Sequence, residues 1–282
     1  MTFCTTLFDT CQLVFWLTPP IYRQPPKYKM TTSSDTTVLT SVTPVTERPA
    51  QYDSKTPYLA RVVSNERITS ADWDQDVRHI VLDLDDSGIT YSPGDVVYIR
   101  PENPSETDEV VAWLGYDPEL VITQLEGTEP DTIKSDVALP ITVRQLFRSY
   151  CDVWGFPRRH FFEQLAFFAS EPLERERLRH FATPEGQDDL LDYCHRARRS
   201  CFDVLRDFPS ARPPLERVLE VFPRLQPRPF SIASSLQVHP HQIHVAMVVV
   251  KYKSPINRLK RGVCSTWLSK LQPQTGTTRH EC

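Results

Sequence analysis

The sequence predicts a mixed β and α fold in which an antiparallel β-barrel is interrupted by an all-helical insertion. Apolar and polar residues alternate in short runs over 57–140 and again over 226–271, as in strands that bury one face. Over 141–225 the apolar residues recur instead every three or four positions, as on helices packed against a core. Because the period changes at both borders, we expect the helices to divide the barrel into two parts in sequence.

Residues 1–56 precede the barrel and lack a sustained period. The first thirty form an atypical N-terminus in which two Pro-Pro pairs forbid a continuing helix, and the Thr- and Ser-rich remainder has the composition of a linker. We expect this whole segment to be disordered, because it cannot bury enough apolar surface to order itself. At the other end, residues 272–282 are expected to form a polar tail.

The first part of the barrel, 57–140, is expected to contain strands at 59–63, 77–84, 89–91 and 96–100. A turn with Pro93 and Gly94 at its central positions, the chemistry of a type II turn, precedes the last of these strands. The short polar connections favour antiparallel hairpins.

Two helices stand out in the insertion, 141–225. The first covers 158–169 with an apolar stripe, and the second is expected to run over 183–208 with Thr183 as its N-cap. On the second helix, Arg198 falls at the border of the buried face, whereas Arg196 and Arg199 point outward. A partly buried arginine requires an anion, but an arginine that reaches solvent or pairs with Asp192 explains the pattern equally well.

The second part of the barrel, 226–271, is expected to contain strands at 228–234 and 243–252. Three histidines, His239, His241 and His244, surround a proline turn between them without a neighbouring carboxylate or cysteine. We interpret them as surface histidines and predict no metal site.

The composition excludes several classes of protein. A formal net charge of -4 provides no basic field for nucleic acid, so no nucleic-acid role is predicted. The eight glycines fit neither a Rossmann fingerprint nor a P-loop. The seven cysteines are odd in number, scattered and without a C-x-x-C pair, which is typical of reduced thiols in the cytoplasm. The apolar run at 11–17 is too short to span a bilayer, and no membrane association is expected.

The run Arg228-Pro229-Phe230-Ser231 carries side chains that suit a flavin dinucleotide. On a strand, Arg228 and Phe230 share one face and Ser231 lies on the other. A guanidinium binds a pyrophosphate bidentately, an aromatic ring packs on a planar heterocycle, and a small hydroxyl fits close to a reacting ring atom. The four-residue pattern alone arises easily by chance, so it needs a second signal.

The second signal is the run Gly262-Val263-Cys264-Ser265. A glycine allows the backbone to approach a ligand closely. Ser265 is expected to cap a short helix whose free N–H groups face an anion.

Both runs resemble the FAD-binding motifs of the diflavin reductases related to NADPH–cytochrome reductase, and within that family they are similar to the NADPH-dependent diflavin oxidoreductases. The similarity extends from about residue 58 to about residue 271. The resemblance implies that the barrel is a ferredoxin-reductase-like, FAD-binding one. It also implies that FAD is bound by Arg198, Arg228, Pro229, Phe230, Ser231, Gly262, Val263, Cys264 and Ser265.

The resemblance further implies an NADPH-dependent flavin oxidoreductase in which Ser231 is the catalytic residue beside the reactive flavin nitrogen. In the family, electrons pass from NADPH through FAD and FMN to a protein acceptor, and the setting is cytosolic iron–sulfur cluster assembly. Phe230 departs from the family, because many relatives have tyrosine there. The phenolic hydroxyl is lost, although the stacking surface remains.

Two other hypotheses stay open. The FMN domain and the NADPH-binding lobe of the full-length family have no counterpart in this sequence, so the chain is expected to be either the FAD portion of such an enzyme or a truncated FAD-binding module without turnover of its own. A third hypothesis is an interaction protein that uses the helical insertion for docking. Flavin absorbance of the purified protein separates the first two hypotheses from the third, and NADPH consumption separates the first from the second.

Overall fold

The computed structural model describes residues 28–34, 52, 57–85, 87–127 and 137–273. The strands are β1 Tyr28–Ser33, β2 Arg61–Arg67, β3 Val77–Asp83, β4 Val96–Ile99, β5 Val121–Gly127, β6 Ile141–Thr142, β7 Arg228–Ser231, β8 Gln242–Val248, β9 Lys251–Lys253 and β10 Leu259–Arg261. The helices are α1 Thr107–Leu114, α2 Val143–Ser149, α3 Arg159–Ala166, α4 Pro172–Ala182, α5 Gln187–Leu190, α6 Cys201–Asp207, α7 Val218–Val221 and α8 Val263–Lys270. A π-helical turn, Leu191–Arg196, continues α5, and a 3₁₀ turn, Leu215–Arg217, precedes α7.

Every strand pair in the described ranges is antiparallel, which confirms the mixed fold with antiparallel sheets. The strands form four small sheets, in the orders β2-β3-β8, β4-β7, β1-β5-β6 and β9-β10. None of these four closes into the barrel that the sequence predicts. The sheets β4-β7 and β2-β3-β8 are linked by a bridge between Ile232 and Val245 and by a backbone hydrogen bond of 2.9 Å from the N–H of Ala233 to the carbonyl of His244.

The described residues form two separate hydrophobic cores. The larger one joins α1, β5 and β6 to the helices between β6 and β7, and it includes the fully buried rings of Phe147, Phe161 and Phe162. The smaller core lies between the sheet β2-β3-β8 and helix α8, with Ile80, Val245 and Leu268 at its centre. Alternating burial along β8 matches the period that predicted this strand.

Several predicted elements differ from the structure. Residues 28–33, expected to be disordered, form strand β1 against β5, while the rest of 1–56 lies outside the described residues apart from Ser34 and Tyr52. The segment 89–91 is not a strand. The hydroxyl of Tyr91 instead hydrogen-bonds the Oγ of Ser234 and donates to the carbonyl of Gln242, both at 2.6 Å.

The helix predicted over 183–208 is broken. Thr183 is the C-cap residue of α4, and its hydroxyl donates to the carbonyl of His180 at 2.8 Å. The same hydroxyl accepts from the N–H of Gly186 at 3.2 Å, which is the bond expected of the predicted N-cap, although α5 itself begins only after Gly186. The chain leaves the π-helical turn at Ala197 and begins α6 after Ser200. Ser200 and Asp203 form a capping box, which satisfies free N–H groups and so favours a new helix start over continuation.

The predicted helix at 158–169 is confirmed as α3, which buries Phe161, Phe162 and Leu165. Among the described helices the longest is α4 with 11 residues, and none has the length and apolar character that crossing a bilayer requires.

Candidate functional site

Strand β7 presents the Arg228–Ser231 motif as an alternating strand. Arg228 pairs with Ile99 and Phe230 with Val97, and these two motif residues are half-buried, whereas Pro229 and Ser231 are exposed. The shared face of Arg228 and Phe230 is therefore the face expected from strand alternation. Phe230 packs against the smaller core, so only part of its ring surface is available to a ligand.

The opposite face of β4 and β7 is an apolar surface that the sequence analysis missed. Val96 and Tyr98 are exposed there, with Tyr98 69% exposed, and they pair with Ser231 and Pro229. Large exposed apolar side chains next to each other are a recognised sign of a binding surface. The signal in the sequence was the pair of apolar side chains at alternate positions, but their exposure depends on which face of the strand is covered.

The second motif contains a helix start, as expected, but helix α8 begins directly after Gly262, three residues earlier than a cap at Ser265 would place it. The N–H of Gly262 donates to the carbonyl of Val250 at 2.9 Å, and a Cβ atom at Gly262 would lie 2.8 Å from the Cβ of Val250. A glycine here therefore lets the helix start pack against the segment between β8 and β9 without displacing Val250 or Ser265. The first intrahelical bond is from Thr266 to Gly262, so the N–H groups of the preceding three residues need other partners.

The predicted capping role of Ser265 is wrong. Its hydroxyl is buried, accepts a hydrogen bond from the N–H of Val250 at 3.0 Å and donates to the carbonyl of Gly262 at 3.3 Å. The N-cap is Gly262, without a side-chain bond. The hydroxyl of Ser265 thus links the helix start to the segment at Val250. Of the two donors of Ser265, only the backbone N–H remains available to bind an anion.

Gly262→Ala is expected to lower the free energy of unfolding by about 1–3 kcal/mol, because the new methyl group overlaps the Cβ of Val250 and the hydroxyl of Ser265. Chemical denaturation measures this loss. Arg261→Ala, at the exposed preceding position, is the control and should stay within about 0.5 kcal/mol of the wild type. A Gly262→Ala protein as stable as the wild type would contradict the close approach.

The charge of Arg228, in the first motif, acts on Cys264 in the second motif. Burial raises the pKa of Cys264 to about 11, and the positive charge of Arg228 acts in the opposite direction. Burial also raises the pKa of Asp152, opposed by Arg228 and by a 2.8 Å hydrogen bond from the N–H of Gly155. Arg228 is therefore close enough to interact electrostatically with both the first turn of α8 and the loop 152–156.

Arg198 reaches the same loop from the helical side, but not as predicted. It lies after the helix break with a left-handed φ of 55° and is exposed, so the expected position at the edge of a buried helix face is wrong. Arg199, predicted to point outward, is half-buried instead and pairs with Asp207 at 3.0 Å. Arg196 takes the partner Asp192 that was considered for Arg198, at 2.5 Å.

Backbone hydrogen bonds hold the loop 152–156 against the start of α6. The N–H of Cys201 donates to the carbonyl of Gly155 at 3.0 Å, and that of Phe202 donates to the carbonyl of Val153 at 3.1 Å. The loop thus connects the surroundings of Arg198 with those of Arg228. The loop carries neither a motif nor a regular period, so its sequence predicts no role for it.

Asp203 joins the helical part to the hairpin β9-β10 that leads into Gly262. Its carboxylate accepts from Lys260 at 2.8 Å and from Arg258 at 2.7 Å. In sequence, Asp203 follows Arg198 closely, and both basic residues shortly precede Gly262. The segment that carries Arg198 and the segment that carries Gly262 are therefore fastened to each other.

The four cysteines that the structure describes are free and buried. Burial raises the pKa of Cys151 and of Cys194 to about 12, and it raises that of Cys201 well above its ordinary value. These thiols stay protonated near neutral pH, and none has the exposed thiolate character of a nucleophile.

His239 and His244, two of the histidines near the proline turn, lie close to His79 of β3 or to each other. His244 lies 3.3 Å from His79 between ring nitrogens, and its ring centroid is 4.2 Å from that of His239. Burial, and then the nearby His239 and His79, lower the pKa of His244. No group of three potential ligands with metal-binding geometry occurs within the described ranges.

Residues 50–267 match the family model described as FAD binding domain. The chain is 42% identical over 223 residues to NADPH-dependent diflavin oxidoreductase 1 of Danio rerio, covering 78% of this chain and 38% of that protein. It is 38% identical over 226 residues to the protein of the same name from Arabidopsis thaliana, covering 78% and 36%.

A related enzyme is also similar. NADPH–cytochrome P450 reductase of Cavia porcellus is 36% identical over 225 residues, covering 79% of this chain and 33% of that protein. The chain thus spans about a third of the length of the curated relatives it matches.

Proposed function

The chain belongs to the FAD binding domain family, and from this premise we propose that it is the FAD-binding part of an NADPH-dependent diflavin oxidoreductase. In the proposed enzyme, electrons pass from NADPH through FAD and FMN to a protein acceptor. The proposed acceptor belongs to cytosolic iron–sulfur cluster assembly, following the resemblance of the two motifs. FAD is the cofactor of the family, while FMN and NADPH belong to the longer relatives.

One observation carries the proposal: the charge of Arg228 acts on Cys264 at the start of α8 and on Asp152 in the loop 152–156, and Arg198 contacts Phe156 of the same loop. Arg198 also lies on the segment bonded to the loop. Two guanidinium groups and a helix N-terminus form a suitable environment for a pyrophosphate.

The residues present fit FAD in the following roles. Arg228, Arg198 and the backbone N–H groups of Val263, Cys264 and Ser265 would hold the pyrophosphate. Gly262 leaves the space that this close approach requires, since a Cβ atom there would meet its neighbours.

The flavin end of the cofactor would lie near β7. Phe230 would contact the ring system, Pro229 would stiffen the strand, and the exposed hydroxyl of Ser231 would lie near the reacting ring nitrogen. When bound, FAD supplies the redox chemistry, and the protein contributes binding, orientation and electrostatics.

The proposal includes a ferredoxin-reductase-like architecture, with a barrel formed by 57–140 and 226–271 and a helical insertion over 141–225. The antiparallel pairing of β4 with β7 and of β3 with β8 supports it, since each pair joins one strand from either part. The run of helices α2 to α7 between β6 and β7 supports the insertion.

Arg228→Ala tests the proposed site directly. Removing a charge-assisted bidentate contact is expected to cost about 1.5–3 kcal/mol of binding free energy, so the affinity for FAD should fall about tenfold or more. Titration followed by quenching of flavin fluorescence gives the dissociation constants. Arg196→Ala is the control, because Arg196 pairs with Asp192 on the surface and should leave FAD affinity unchanged. Equal affinity of the wild type and Arg228→Ala would refute the site.

Phe230 tests the flavin end. Phe230→Ala should weaken FAD binding through lost ring contact, whereas Phe230→Tyr should preserve or improve it by adding the hydroxyl of the relatives. Because Phe230 also packs on the smaller core, the melting temperature of each variant must be measured alongside the titration. Weaker binding by a stably folded Phe230→Tyr protein would argue against this placement.

A further inference from the structure

Among the three neighbouring arginines, Arg198 alone forms no ion pair with a residue of the described ranges. Arg196 binds Asp192 and Arg199 binds Asp207. The guanidinium carbon of Arg198 lies instead over the ring of Phe156, 5.3 Å from its centroid. Contact with a ring face stabilises the cation and leaves the N–H groups at the guanidinium edge available to donate.

The backbone fixes this pair from both sides. Arg198 adopts a left-handed conformation, and its N–H donates to the carbonyl of His195 at 3.2 Å. On the other side, Phe156 follows Gly155, whose carbonyl accepts from Cys201 at 3.0 Å. The ring of Phe156 remains 38% exposed. Non-glycine residues with a left-handed backbone cluster at functional sites, and here such a residue is held against an aromatic ring at the surface.

We propose that Phe156 is a positioning residue that holds the guanidinium of Arg198 ready for the pyrophosphate of FAD, an inference that rests on the FAD site proposed above. A flexible arginine loses rotamer freedom when it binds a ligand, and a ring that orders it beforehand reduces that loss. The ring also carries no negative charge, so it does not compete with phosphate as a carboxylate partner would.

The test uses the full chain and titration with FAD, followed by quenching of flavin fluorescence. Phe156→Leu keeps an apolar side chain but removes the ring face, and it should weaken FAD binding about two- to fivefold. Phe156→Trp keeps the ring face and should bind FAD at least as tightly as the wild type. In the Arg198→Ala background, Phe156→Leu should cause no further loss, because the group that it positions is absent.

Each alternative outcome is distinguishable. Weaker binding by Arg198→Ala combined with wild-type affinity of Phe156→Leu would overturn the positioning role and leave the FAD site standing. Equal losses from Phe156→Leu with and without Arg198 would reveal a general structural effect and also overturn it. Wild-type affinity of Arg198→Ala would overturn both the positioning role and the place of Arg198 in the site. Looser binding by Phe156→Trp, with an unchanged melting temperature, would count against the ring contact.

Discussion

Asp203→Ala is expected to lower the free energy of unfolding by about 3–5 kcal/mol, the loss that follows when one partner of a largely buried ion pair is removed. The carboxylate is 16% exposed and binds Lys260, which is 19% exposed, so the ammonium group would be left without its partner in a poorly hydrated position. The same substitution removes half of the capping box with Ser200 at the start of α6. Urea denaturation measures the loss.

Two comparisons isolate the cause of that loss. Asp192→Ala removes a carboxylate from the exposed pair with Arg196 and should cost about 0.3–0.5 kcal/mol. Asp203→Asn keeps an oxygen that can accept at the helix start but removes the charge, so it should fall between the wild type and Asp203→Ala. A loss for Asp203→Ala no larger than that for Asp192→Ala would show that the pair is solvated.

The same carboxylate should contribute to acid sensitivity. Burial raises the pKa of Asp203, but hydrogen bonds from Lys260 and Ser200 outweigh burial and hold the pKa below its ordinary value of 3.8. Its contribution to stability is therefore fully present above about pH 4 and is lost as the pH falls through the lowered pKa. Asp203→Ala should lose less stability than the wild type over that acidic range.

Phe162→Ala is the second large effect, with an expected loss of about 3–5 kcal/mol of unfolding free energy. The ring is fully buried in the larger core and makes edge-to-face contacts with Phe181 at 5.4 Å and with Phe161 at 5.7 Å between centroids. Truncation leaves a cavity among rings held by several helices, which cannot collapse easily. Guanidinium denaturation gives the difference in unfolding free energy.

Leu173→Ala is the matched control for Phe162→Ala. Leu173 is also an apolar residue of the helical part, but it is 81% exposed, so its truncation should change stability by no more than about 0.5 kcal/mol. Similar losses for the two variants would mean that the larger core does not depend on the aromatic cluster.

The sequence by itself determined what depends on local periodicity. Alternation predicted β3, β4, β7 and β8, and a spacing of three and four predicted α3, because a side chain's direction on a strand or helix follows from backbone geometry alone. The same geometry correctly separated Arg228 and Phe230 from Ser231. The motifs around Arg228 and Gly262 were sufficient to indicate the family that the comparisons show.

Only the tertiary structure decided which partners these elements meet. The break before Arg198 depends on the capping box of Ser200 with Asp203 and on carbonyl groups supplied by the loop 152–156, about forty-five residues away in sequence. The hydroxyl of Ser265 turned inward because Val250 presents an N–H there. Such choices follow from contacts between distant segments, and a local pattern carries no information about the chain that will pack against it.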